Sequence, residues 1–189
     1  MGTILGIDPG LTRLGVGVIA QGAGRRVSLV HVEVLRTPAT DRPEARLGAL
    51  SNALERVFDI HKPDIVALER VFAQQNLRTV MGTAQVSGVV LALAHQRSLA
   101  VSLRTPSEVK AAVTGYGRAD KKQVGTMVAK ILGLDAIPQP ADAADALALA
   151  ISEAWRGGAT SAQSAGAETA AQKAWREAEA RAHRPKLKE

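Results

Sequence analysis

The chain is 189 residues long and carries 24 Lys+Arg against 18 Asp+Glu, a formal charge of +6, with 46% apolar residues, few aromatics (2 Trp, 1 Tyr, 2 Phe) and no cysteine. That length and apolar share suit one domain with a core, and the absence of thiols excludes a disulfide framework, a zinc ribbon or an iron–sulfur site. The longest apolar-rich stretch, around Val86–Ala94, is far short of the roughly 20 residues a bilayer crossing requires, so a soluble, cytoplasmic protein with no membrane partner is expected, and its basic charge favours polyanions.

Thr3–Asp8, Leu14–Ala20 and Val27–Arg36 are β-branched or alternating runs punctuated by Pro9-Gly10 and Gly22-Ala23-Gly24, which predicts an antiparallel three-strand meander. Asp41-Arg42-Pro43-Glu44 offers an N-cap with an acid three residues on. Leu47, Leu50, Leu54 and Val57 follow at helical spacing, and Pro63 ends that helix. Asp64–Glu69 is a short apolar run arriving after a helix, as expected of a buried strand parallel to the first. A second helix over Leu77–Gln96, a strand over Val101–Arg104, a capping box at Thr105-Pro106-Ser107-Glu108, and helices over Lys121–Leu132 and Ala141–Trp155 complete the pattern. The expected fold is therefore α/β, with a five-stranded mixed sheet flanked by helices. From Gly157 the composition becomes that of a flexible linker, Glu168–Arg181 forming at best a marginal helix, so one folded domain over 1–156 and a flexible basic tail over 157–189 are expected. The tail holds six basic and four acidic residues, leaving the first 156 at +4.

Four acids stand out. Asp8 ends the first strand and Glu69 the fourth, so neighbouring strands would bring both to one edge, while Asp142 and Asp145 lie three apart on one face of the last helix. An ionised acid ending an apolar strand such as "ILGID" or "IVALE" is unfavourable unless paired or bound to a cation, and hard oxygen ligands suit Mg²⁺. Each acid alone also has a plain reading, as a turn former, a solvated strand end or a partner of the helix dipole. Two Mg²⁺ ions about 3.5–4 Å apart would suffice to hydrolyse a phosphodiester.

The motifs Ile4-Leu5-Gly6-Ile7-Asp8-Pro9-Gly10, Leu68-Glu69-Arg70-Val71-Phe72 and Gln139-Pro140-Ala141-Asp142-Ala143-Ala144-Asp145-Ala146-Leu147-Ala148 together resemble the RuvC Holliday-junction resolvases, whose fold is RNase H-like. The resemblance spans roughly residues 1–155 and implies a homodimeric, Mg²⁺-dependent endonuclease that nicks two opposing strands of a four-way DNA junction symmetrically, with Mn²⁺ as a substitute ion. It implies 5′-phosphate and 3′-hydroxyl ends, a role in homologous recombination and DNA repair, and association with the RuvAB branch-migration complex. Asp8, Glu69, Asp142 and Asp145 fall on its four catalytic, metal-binding positions. The resemblance also implies that Phe72 stacks on an unpaired base, against ordinary packing under its loop. Lys110, Arg118, Lys121 and Lys122 surround the glycine-bearing "TGYGRADKK" and are candidate phosphate contacts, Lys110 and Lys121 matching basic family positions; Arg78 is a further candidate DNA contact, and Tyr116 is open between stacking and packing. The small residues of Met81–Val90 call for close approach of another helix or sheet, within the chain or from a second subunit.

Three other readings compete with this one. Asp8–Gly15 is similar to the first phosphate loop of actin-like ATPases, but one domain holds only half of such a fold. A YqgF-type RNA-processing nuclease would share fold and acids without the "ERVF" and "ADAADALA" wording. A non-catalytic junction-binding protein would have no use for four mutually repelling carboxylates.

Overall fold

The computed structural model describes residues 2–71 and 77–163, with side chains described as far as residue 156 and excepting those of Leu77 and Arg78. Its elements are β1 (Gly2–Asp8), β2 (Arg13–Gln21), β3 (Val27–Arg36), α1 (Pro43–His61), β4 (Ile65–Glu69), α2 (Leu77–Gln96), β5 (Ala100–Arg104), α3 (Pro106–Thr114), α4 (Lys121–Leu132) and α5 (Ala141–Gln163). The chain divides into two compact units, Met1–Gly157 and Gly158–Glu189.

The five strands form one sheet in the order β3-β2-β1-β4-β5. β1, β2 and β3 make the expected antiparallel meander, and β4 and β5 add in parallel on the far side of β1. Strand alternation decides which face each side chain serves. Leu5 and Ile7 of β1 and Val66 and Leu68 of β4 join Leu50, Leu54, Phe58, Val86 and Val90 in a core beneath α1 and α2. Ile4 and Ala67 face the other way, into a core with Val109, Val113, Val124, Val128 and the Leu147–Ile151 stretch of α5. By the same parity Gly6 and Asp8 of β1, and Glu69 of β4, belong to the α5 side.

α5 lies close to the sheet because glycine permits it. A Cβ on Gly6 would meet the carbonyl oxygen of Ala146, and one on Gly15 the carbonyl oxygen of Asp142. These two contacts hold the first turns of α5 against the strand ends.

Two local expectations are corrected. The N-cap of α1 is Arg42, extended at φ −64 and ψ 143, and no side chain caps it; the Asp41 capping box does not form. Pro43 at the first helical position forces its predecessor out of helical geometry and so fixes the boundary at Arg42, one residue later than the motif suggests. The last helix runs on beyond Trp155 to Gln163. Gly157 and Gly158 each weaken a helix by about 1 kcal/mol without forbidding it. The capping box at Thr105 is present, and Asp120 with Gln123 makes a second one that opens α4.

Candidate active site

β1 and β4 pair in parallel with Ile7 opposite Leu68, so the next residues, Asp8 and Glu69, end neighbouring strands side by side. Strand parity turns both carboxyls toward α5, whose first turns present Asp142 and Asp145. The four acids that the sequence singles out are thus gathered at one end of the sheet, at the carboxyl ends of its central strands, where α/β folds place their sites.

Each carboxyl is balanced differently. Asp8 donates a hydrogen bond to Glu69, and burial, followed by the negative charges of Glu69, Asp145 and Asp142, pushes its pKa up to about 8. Burial raises Glu69 above the usual carboxylate range as well, aided by Asp145 and opposed by the hydrogen bond from Asp8 and by Lys121. Asp142 is paired with Arg13, Nε to Oδ2 3.0 Å, and Asp145 with Lys121, Nζ to Oδ2 3.0 Å. Lys121 is in turn held above its ordinary value, first by its hydrogen bond to Asp145 and then by the surrounding acids. One proton and two cations therefore offset three of the four negative charges and leave the cluster with a net negative charge.

The donor set is four carboxylates with no imidazole or thiol, the chemistry of a hard divalent ion such as Mg²⁺. Two of them, crowded and desolvated enough to hold a proton, are groups a divalent cation would stabilise in ionised form. Among the described residues no three ligating side chains stand at metal-holding geometry; Asp142 is paired with Arg13 and Asp145 with Lys121.

Two open grooves meet at Asp8. The larger, about 970 Å³, passes between the β1–β2 turn, the start of α1 and α2, with Arg13, Arg46, Thr83 and Asp142 on its walls. The other, about 520 Å³, runs past Glu69, Arg70, Thr79, Thr105 and Ser107.

Of the basic candidates, the structure brings Lys121 to the acids. Lys110 lies half-buried on α3, where its carbonyl accepts a hydrogen bond from Thr114 Oγ1; Arg118 is exposed in the turn before α4; Lys122 is exposed on α4, beside a separate 430 Å³ pocket that includes an exposed Tyr116. Phe72 and the Arg78 side chain lie outside the described residues. Arg104 is a structural cation instead: its guanidinium pairs with Glu153 at 3.0 Å in a largely buried setting, and its carbonyl accepts from Arg70 N beside Glu69. Sequence reasoning passed over Arg13 and Arg46. The signal for Arg13 is its place five residues after Asp8, at the return of the same turn.

The fold and the acidic edge define an RNase H-like nuclease. A family model described as crossover junction endodeoxyribonuclease RuvC matches residues 4–153. The chain is 57% identical over 189 residues to the crossover junction endodeoxyribonuclease RuvC of Leifsonia xyli subsp. xyli, covering 93% of this chain and 91% of that protein. It is 60% identical over 166 residues to that of Clavibacter michiganensis subsp. michiganensis, covering 88% and 82%. Among solved structures, T. thermophilus RuvC in complex with Holliday junction substrate superposes with a TM-score of 0.80 at 33% identity, over 85% of this chain and 97% of that one. The chain belongs to the RuvC family of crossover junction endodeoxyribonucleases. Among the described residues no helix is long and apolar enough to cross a membrane.

Proposed function

We propose that this chain resolves Holliday junctions, nicking two opposing strands symmetrically by phosphodiester hydrolysis that leaves 5′-phosphate and 3′-hydroxyl ends, in homologous recombination and repair. The observation that carries the reading is the convergence of Asp8, Glu69, Asp142 and Asp145 at one sheet edge between two open grooves. A solved relative of the same fold is described as bound to Holliday junction substrate, which supports four-way junction DNA as the partner.

Asp8 and Glu69, with Asp142 and Asp145 completing the set, would hold Mg²⁺, two ions per subunit, with Mn²⁺ able to replace it. The ions supply a water activated near neutral pH and charge neutralisation at the leaving oxygen. The protein's part is preparation. The rigid pair of parallel strands fixes Asp8 beside Glu69, and the close seat of α5 on Gly6 and Gly15 fixes the two aspartates. Arg13 and Lys121 hold Asp142 and Asp145 in place through their ion pairs, and Lys121, beside the acids, would also meet the incoming phosphate. Lys110, Arg118, Lys122 and Arg78 serve as outlying phosphate contacts, and Phe72 as a stacking contact to an unpaired base, in the same reading.

Symmetric nicking requires two sites related by a two-fold axis, hence a homodimer. The exposed Met81 and Leu91 on α2 supply apolar surface for it. Work alongside the RuvAB branch-migration complex in the cytoplasm completes the reading, with residues 1–156 as the nuclease domain and 157–189 as a basic tail. The test is a synthetic mobile four-way junction beside a linear duplex and a structured RNA, each with Mg²⁺ or EDTA. Paired symmetric nicks confined to the junction and abolished by EDTA are expected; RNA cleavage with an intact junction would overturn the assignment.

A further inference from the structure

Arg46, on the first turns of α1, is 8% exposed and is the one charged residue buried to that degree among the described residues. Charges this deep are ordinarily paired with an opposite charge. Arg46 is not. Its Nε donates to Thr37 Oγ1 at 2.9 Å and its Nη2 to Thr12 Oγ1 at 2.7 Å, both neutral hydroxyls, and among the described residues no carboxylate forms an ion pair with it. Thr37 is itself anchored, its Oγ1 donating to the Leu11 carbonyl and its backbone N–H to the Thr12 carbonyl. The network orients the guanidinium and leaves its positive charge uncompensated.

The place of that charge matters more than its burial. Arg46 lines the groove that begins at Asp8 and continues past Arg13 and Thr12. Asp41, exposed, and Asp142, paired with Arg13, are the other acids of that groove besides Asp8. A planar, fixed guanidinium with a neutral first layer is the form of arginine suited to a phosphodiester, which returns both the missing charge and two acceptor oxygens.

We propose that Arg46, held in orientation by Thr12 and Thr37, is a DNA-backbone-binding residue that receives a phosphate of the cleaved strand on the β1–β2 side of the scissile position. The inference rests on the nuclease reading and adds to it a fixed anchor for one flank of the strand. The anchor sets which linkage is delivered to Asp8, and it reads backbone, not base.

The test uses the full chain in Ca²⁺, for binding without turnover, and junctions carrying a neutral methylphosphonate at each linkage near the cut in turn. For the wild type, one linkage should lower affinity about tenfold or more when neutralised, the range for a charge-assisted hydrogen bond. Arg46→Gln should show the same loss with the normal junction, no further loss at that linkage, and a salt dependence of log K reduced by about 0.9 per protomer. A purely structural Arg46 would instead lower the melting temperature and leave every linkage with the same effect in both proteins, which overturns the proposal. If Arg46→Gln fails to fold, Thr12→Val decides: a reduced effect at that one linkage supports the anchor, and an unchanged effect there overturns it. Wild-type cleavage in Mg²⁺ separates the two claims. Cleavage without coupling at any linkage removes the anchor alone, whereas no junction binding by the wild type removes both.

Discussion

Asp8→Asn should stabilise the metal-free protein, although it removes a contact between two carboxyls. Asp8 is held at about 8 in the fold against an ordinary 3.8, by burial first and by Glu69, Asp145 and Asp142 after it. A carboxyl raised on folding contributes stability that is complete below its unfolded value and is lost as pH rises through its folded one. At pH 7 the unfolded chain has released a proton the folded chain must retain, a difference of up to ~4 kcal/mol at 1.36 kcal/mol per pH unit. Glu69 shares the same proton, so half of that, ~2 kcal/mol, is the working figure; for a domain of this size it corresponds to roughly 4–8 °C in melting temperature. Asparagine keeps the shape and a donor for Glu69 without the charge. Thermal unfolding of both proteins in EDTA between pH 5 and 9 should show the variant's advantage growing with pH up to about 8. Mg²⁺ should stabilise the wild type more than the variant and narrow the gap. A variant that melts at or below the wild type across that range in EDTA would refute the reasoning.

Other outcomes follow from the same geometry. Gly15→Ala drives a methyl group into the Asp142 carbonyl, so it should lower stability by about 1–3 kcal/mol and cleavage disproportionately, because α5 must lift and carry both aspartates with it; unchanged cleavage in a folded variant would contradict the packing. Glu153→Gln leaves the Arg104 guanidinium largely buried without its carboxylate, and denaturant unfolding should register a loss of about 3–5 kcal/mol. Lys121→Met removes a cation that lowers the Glu69 pKa, so metal uptake followed by calorimetry should require a higher pH than in the wild type. Deletion of 158–189 should leave junction cleavage largely intact in a gel assay; a large loss would assign the tail to DNA or to the dimer.

Much of the scaffold was legible because its signals are local. The meander, the strand ending at Glu69 and the helix beginning at Leu77 follow from alternation, turn residues and helical spacing, and the capping box at Thr105 announces its helix within four residues. The convergence of the acids was also open to inference, since strand ends and an i,i+3 pair constrain direction. What escaped is long-range. Nothing in "PEARL" distinguishes a solvated first-turn arginine from one that is buried against Thr12 and Thr37, because burial is decided by the β1–β2 turn and the β3–α1 connection folding over it. Likewise nothing local to Arg104 announces that Glu153, 49 residues away, pairs with it. The Asp41 cap failed for a local reason that propensity underweights: Pro43 constrains its predecessor more strongly than Asp41 attracts a helix start.

The most direct test of the central claim is cleavage of a synthetic four-way junction by the wild type and Asp8→Asn, in Mg²⁺ and in EDTA, with binding measured in parallel. Symmetric paired nicks from the wild type in Mg²⁺ alone, and junction binding without nicking by Asp8→Asn, are the predicted result. Mg²⁺-dependent cutting that survives Asp8→Asn would contradict it, because the carboxyl at the centre of the acidic edge would then have no part in the chemistry.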